Sequence, residues 1–237
     1  MKAAASEKKA LARLRVLVGR ARRQASKLSA GLKALGADVI EIPFIEIRPP
    51  RSYKPLDTAL NRIAEYDWLI LTSVNGVEAL AFRMKRLQIS PREFAHLRIA
   101  TIGPSTRKAA ESLGLKVSVV PQQYIAESVV ESLRGKVNGK RVLLARAKVA
   151  RDVIPSELRK MGGNVDVVEA YDTVMPAASK KKLRALMKEP KRRPDVVTFT
   201  SSSTVRNFMT LLGGRGRSPN TALDGVRLAS IGPVTSG

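Results

Sequence analysis

The feature that most constrains this chain is that it repeats itself. Residues 16–43, VLVGRARRQASKLSAGLKALGADVIEIP, align with residues 142–169, VLLARAKVARDVIPSELRKMGGNVDVVE, setting Arg20 against Arg146 and Gly36 against Gly162. Residues 67–77, DWLILTSVNGV, align with residues 195–205, DVVTFTSSSTV, so that Thr72 meets Thr200. Residues 97–106, LRIATIGPST, align with residues 226–235, VRLASIGPVT, so that Thr106 meets Thr235. The blocks recur in the same order with only a small drift in spacing.

Each copy reads as alternating strand and helix. Val16–Gly19 is a short apolar strand, and residues 25–35 are helical, with Leu28, Leu32 and Leu35 on one face. Gly36 is placed to end that helix. A second strand is expected at 39–42, a helix at 56–66, and a continuous apolar strand at 68–72. A strand without alternation suits a parallel sheet covered on both faces. A helix at 76–87, a strand at 99–102, a helix opening at Pro104 and closing at Leu113-Gly114, and a strand at 117–120 complete the copy. The pattern implies an α/β fold of two open parallel sheets with helices on both sides. After Thr106 the first copy continues for about 30 residues of helix, strand and helix. After Thr235 the sequence runs on for two residues. The second copy therefore reads as truncated, and its domain is expected to lack a strand.

Composition excludes several classes. There is no cysteine, and His96 is the one histidine, so disulfide scaffolds, cysteine metal sites and multi-histidine metal sites are excluded. His96 stands just before a strand and reads as a surface or boundary residue. No apolar run of about 18 residues is present, which excludes a membrane-spanning helix. The basic N-terminus has no apolar signal core behind it, and a soluble cytoplasmic protein is expected. Lys and Arg number 43 against 20 Asp and Glu, a net charge of +23. Such charge fits an acidic partner, either nucleic acid or a polyanionic small molecule, or else a solvated basic surface. Residues 179–193, SKKKLRALMKEPKRR, concentrate it on what reads as an exposed helix and loop. Aromatic residues make up 4% and do not alternate with basic ones, which argues against a single-strand nucleic-acid platform. The solvated surface is the preferred reading.

Ligands of parallel α/β sheets bind beyond the carboxyl ends of the strands. Four matched turns lie there: Thr72, Ser73 and Asn75; Gly103, Ser105 and Thr106; Thr200, Ser201, Ser202 and Ser203; and Gly232 with Thr235. Small hydroxyl residues at helix starts cap helices. The same turns also aim free N–H groups and hydroxyls outward at positive helix ends, which suits carboxylates or phosphates. Four such turns at equivalent places bring a shared anionic ligand into contention. No GxGxxG or GxxxxGK[ST] loop is present, and the run from Gly213 to Gly216 reads as a flexible loop. Asp67 and Asp195 each precede a strand without forming an evident carboxylate pair. Tyr171 follows a strand near the middle of the chain, where it either packs a linker or donates a hydrogen bond.

The ordered set LTSVNG (71–76), IGPST (102–106), VEAYDT (168–173), TFTSSS (198–203) and IGPVT (231–235) resembles the uroporphyrinogen-III synthase family, across residues 14–235. The resemblance implies two similar open parallel-sheet, flavodoxin-like domains joined by a two-stranded β linker. It implies that residues 13–42 with 173–237 form one domain and 46–168 the other, the site lying in the cleft between them. Residues 1–12 are then a basic N-terminal extension. The implied substrate is hydroxymethylbilane, an open-chain tetrapyrrole with eight carboxylates. The implied reaction loses its terminal hydroxyl as water, inverts ring D through a spiro intermediate, and closes the ring to uroporphyrinogen III. No cofactor or metal is implied. The protein would be a monomer, in transient contact with the preceding enzyme of the pathway.

Tyr171 is then the catalytic candidate, as a hydrogen-bond donor to the departing hydroxyl. Thr106 and Thr235 match the threonines of the Gly-Pro turns, and with Arg20, Arg146 and the other turn residues they would bind substrate. Removing any one side chain except Tyr171 is expected to do little, because backbone donors would remain. One departure is Gly19, where the family often carries a hydroxyl residue. Two other classes stay open: a non-catalytic two-domain carboxylate-binding protein, and a nucleic-acid-binding protein acting through residues 179–193.

Overall fold

The computed structural model describes residues 9–20, 22–213 and 223–236. Residues 1–8 of the expected N-terminal extension, and Gly214, Arg215 and Gly216 of the expected loop, lie outside them. In chain order the elements are β1 (Arg15–Val18), α1 (Arg22–Ala34), β2 (Asp38–Glu41), β3 (Glu46–Arg48), α2 (Lys54–Asn61), β4 (Trp68–Leu71) and α3 (Val74–Leu87). They continue with β5 (Arg98–Thr101), α4 (Pro104–Ser112), β6 (Val117–Val119), α5 (Ala126–Ser132), β7 (Arg141–Ala147), α6 (Val153–Lys160) and β8 (Asn164–Val174). The last are α7 (Ala177–Lys188), β9 (Val196–Phe199), α8 (Ser202–Leu212), β10 (Arg227–Ser230) and a helical turn at Pro233–Ser236. The α/β alternation with parallel sheets is as the sequence implies. The chain divides into two compact units, residues 47–173 and residues 1–46 with 174–237.

The contiguous unit is built on a sheet of order β3-β8-β7-β4-β5-β6. From β8 to β6 every neighbouring pair is parallel. All four residues of β4 are buried. Leu69 and Leu71 enter a cluster with α2, α3 and α4, whereas Trp68 and Ile70 enter one with α5 and α6. Successive side chains of a strand point to opposite faces, so an unbroken apolar run is what a strand covered on both sides requires.

The discontinuous unit has the order β10-β9-β1-β2, all parallel. Leu17, Val197 and Phe199 face α7 and α8, while Val16 and Val18 pack with Leu11, Leu14, Leu28 and Leu32. The side chain of Phe44 is fully buried, its ring 5.0 Å from that of Phe208. A Cβ on Gly19 would sit 2.0 Å from the Phe44 ring. The departure at Gly19 thus has a packing cause, since the aromatic ring occupies the space of a side chain there. Gly36 and Gly162 both have positive φ, +94° and +81°, just past the ends of α1 and α6. Their amides bond back to Lys33 and Arg159. Only glycine adopts that backbone freely, so both serve as helix stops.

Two local expectations are corrected. The single helix expected at 56–66 is α2 followed by a separate 3-10 turn, Ile63–Glu65. Arg62, at φ −113°, ends α2 and redirects the chain. Tyr171 lies within β8 rather than after a strand, because β8 runs on to Val174. The apolar pattern of 165–168 stops earlier than the backbone pairing does.

Candidate active site

In the contiguous unit, the register places the ends of β4, β5, β7 and β8 on one edge. Leu71 is level with Thr101 and with Ala145, and Ala147 is level with Tyr171. Ser73 leaves β4 in an extended conformation and caps α3, its Oγ accepting from Gly76 N at 3.0 Å. The Ser73 hydroxyl donates to Tyr171 Oη at 2.9 Å. Two predicted site residues nearly a hundred positions apart are thereby joined by one hydrogen bond. Thr72 and Asn75 flank Ser73 and are half-buried. Gly103 caps α4 with Pro104 next to it, and Ser105 is exposed. Thr106 is only 4% exposed and leaves almost no surface for a ligand in this conformation. Arg146 is held by the Asp152 carboxylate and, through Nη1, by the Arg151 carbonyl at 2.9 Å.

The discontinuous unit carries the corresponding turns on its own edge. Ser201 caps α8, accepting from Thr204 N at 3.3 Å, and its Oγ is 2.9 Å from Ser203 Oγ. Thr200, Ser202 and Ser203 are half-buried beside it. Gly232 accepts from Thr235 N at 3.0 Å in the helical turn after β10. Arg20 follows β1, and its Nε is buried without a hydrogen-bond partner among the described residues. The two equivalent arginines therefore differ: Arg146 is held by protein groups, whereas the Nε of Arg20 is buried and unpartnered among the described residues.

The structure also gives roles to residues that sequence reasoning left without one. Asp67 Oδ2 accepts from Arg141 N at 2.9 Å, and Asp195 Oδ2 accepts from Arg15 N at 2.7 Å. Each carboxylate pins the first residue of the neighbouring strand. Both titrate below the ordinary aspartate range, chiefly because the backbone N–H favours the charged form. Tyr66 behaves as a structural phenol: burial and its bond to Asp166, 2.7 Å, push its pKa up to about 12. Sequence reasoning also missed Tyr124, which is 60% exposed and whose ring would meet a Cβ on Gly103 at 3.2 Å. An aromatic two residues before α5 carries no motif, and its contact is made only by folding.

His96 is exposed. No group of three or more His, Asp or Glu side chains that could hold a metal occurs among the described residues. No described helix is long and apolar enough to cross a membrane. The lysines of 180–182 are exposed on α7, whose Leu183 and Met187 are buried, so the basic stretch is the solvent face of an amphipathic helix.

Comparison with known proteins gives one family. The family described as uroporphyrinogen-III synthase HemD matches residues 26–237. A relative from Synechococcus elongatus, uroporphyrinogen-III synthase, is 39% identical over 93% of this chain and 83% of its own length. One from Chlorobaculum parvum, with the same name, is 27% identical over 94% and 87%. Among solved structures, a mutant uroporphyrinogen III synthase from Thermus thermophilus shares the fold with a TM-score of 0.63 at 17% identity, covering 94% of this chain and 95% of that one. The Helicobacter pylori uroporphyrinogen-III synthetase gives 0.54 at 17% identity, covering 94% and 85%. With the match running over most of its length, the chain belongs to the uroporphyrinogen-III synthase family.

Proposed function

We propose that this chain is an enzyme of tetrapyrrole biosynthesis that converts hydroxymethylbilane into uroporphyrinogen III and water, with Tyr171 acting on the departing hydroxyl. The observation that carries the assignment of Tyr171 is its hydrogen bond to Ser73 at the carboxyl edge of β4, within a fold and family that fit the reaction. The hydroxymethyl C–O bond breaks and its electron pair leaves with oxygen. A proton completes the water, and closure of the ring onto the freed carbon later returns a proton. Atoms balance without an oxidant or reductant. The turn N–H groups and hydroxyls, Ser73 apart, hold carboxylates, and the Arg20 guanidinium adds positive charge. Holding a flexible chain in one reactive geometry supplies much of the rate, and a positioned phenol supplies about 100-fold or more.

The two units are read as products of one duplicated segment. The matching pins made by Asp67 and Asp195 support this, as do the matching glycine stops. The linker is read as β3 paired with β8, since the unit boundaries fall within those two strands. The amphipathic setting of residues 179–193 supports a solvated basic face in preference to a nucleic-acid site.

The test is the isomer formed from hydroxymethylbilane by the purified protein. Isomer III in excess of the spontaneous isomer I is expected, and isomer I alone refutes the activity. Tyr171→Phe is expected to lower the rate about 100-fold. An undiminished rate removes the tyrosine from the mechanism.

A further inference from the structure

We infer that Ser73 is a positioning residue that fixes the direction of the Tyr171 proton, rather than a ligand for substrate carboxylates; this rests on the assignment of Tyr171 given above. A serine hydroxyl has one proton to donate and lone pairs to accept with. Ser73 Oγ accepts the Gly76 N–H at 3.0 Å, which directs a lone pair into the first turn of α3. Its proton goes to Tyr171 Oη at 2.9 Å. The phenol oxygen is thus already an acceptor, and its own proton points away from Ser73. Among the described residues no protein group receives that proton. A chain from backbone N–H to serine to phenol polarises each member in turn, so the last donor is strengthened.

Tyr66, two residues before β4, shows the opposite arrangement. Tyr66 donates its proton to the Asp166 carboxylate, so the proton is consumed within the protein. The equivalent cap in the other unit differs as well. Ser201 Oγ is paired with Ser203 Oγ, so its hydroxyl is bound to a local serine and not to a phenol. The serine–tyrosine relay is specific to the β4 turn. Ser73 is therefore an exception to the expectation that single side chains other than Tyr171 matter little.

The experiment compares Ser73→Thr, Ser73→Ala and Ser73→Asp in the full chain, in parental and Tyr171→Phe backgrounds. It measures kcat and KM for uroporphyrinogen III formation, and Tm. Threonine keeps both the cap and the donor, and is expected within about 3-fold of the parental kcat. Alanine loses both. Aspartate keeps the cap and suits the helix N-terminus, but it only accepts, so it draws the phenol proton inward. Aspartate is expected to keep the parental Tm; its added charge raises KM at a carboxylate-binding edge, while kcat, read separately at saturating substrate, falls about 10-fold or more. In the Tyr171→Phe background the same change is expected to cost less than about 2-fold, because the proton it steers is gone. A parental kcat for Ser73→Asp overturns the inference, and so do losses that multiply in the double variant. If Tyr171→Phe alone keeps the full rate, the role of the tyrosine fails and the inference with it. If Tyr171→Phe is impaired and Ser73→Asp is not, only the inference fails.

Discussion

Residues 97–104 and 226–233 carry nearly the same sequence, LRIATIGP and VRLASIGP, and both fold as a strand followed by a Gly-Pro turn. Their surroundings are unlike. In β5, Ile99 is fully buried between β4 and β6, under α4. In β10, Leu228 is 57% exposed, Ile231 just after it is 73% exposed, and β9 is the one strand paired with β10 among the described residues. The shared sequence is enough to make the strand and aim the turn. Burial is decided by what lies alongside, and the motif does not encode that.

The largest effect expected from this contrast is on stability. Ile99→Ala should cost about 3 kcal/mol in denaturant unfolding, because it opens a cavity between packed strands and helices. Leu228→Ala should stay within about 0.5 kcal/mol, since its side chain already meets water. Equal losses at the two positions would mean that β10 is as covered as β5.

The next pair probes the glycines. Gly19→Ala should cost about 1–3 kcal/mol, because its Cβ would enter the space of a fully buried Phe44 ring. Gly103→Ala meets the exposed Tyr124 side chain at 3.2 Å, which can swing aside, so a loss of under about 0.5 kcal/mol is expected. The comparison breaks if the two variants melt alike.

The smallest stability effect concerns a feature the units share. Asp67→Asn and Asp195→Asn should each cost about 1 kcal/mol at neutral pH, a modest loss because both carboxylates are partly in solvent. Their folded-state pKa values are lowered, so the contribution is complete above the unfolded value of about 4. It disappears as pH falls through the folded values. A Tm series from neutral to acid pH should therefore fall less steeply below about pH 4 in either Asn variant than in the parent. Unchanged acid limbs would separate these pins from the pH dependence of stability.

Much of the fold was legible because it is local. The unbroken apolar run 68–71 announced a strand covered on both faces, the spacing of Leu28 and Leu32 announced α1, and Gly36 announced where it stops. The serine turns were legible as helix starts for the same reason. What stayed hidden depends on distant partners. Asp67 and Asp195 could be placed before strands, but the amides they hold belong to β7 and β1, far away along the chain. Thr106 was legible as part of the Gly-Pro turn, and only the packing of α4 shows that its side chain is buried. The pairing of Ser73 with Tyr171 needed β4, β7 and β8 in register. Arg20 and Arg146 are equivalent in sequence, and it is the neighbouring Asp152 that occupies one of them.

The discontinuous unit sets an order on synthesis. Its central strand β1 pairs with β9, and the hydrogen bond from Arg15 to Asp195 spans 180 residues. A growing polypeptide emerges amino end first, so β1 and its near neighbour β2 leave the ribosome long before β9 exists. The strands of the contiguous unit are all available well before then. That unit can fold as a body while the Leu17 face of β1 waits for β9, α7 and α8, open to aggregation or to chaperones until those elements are made.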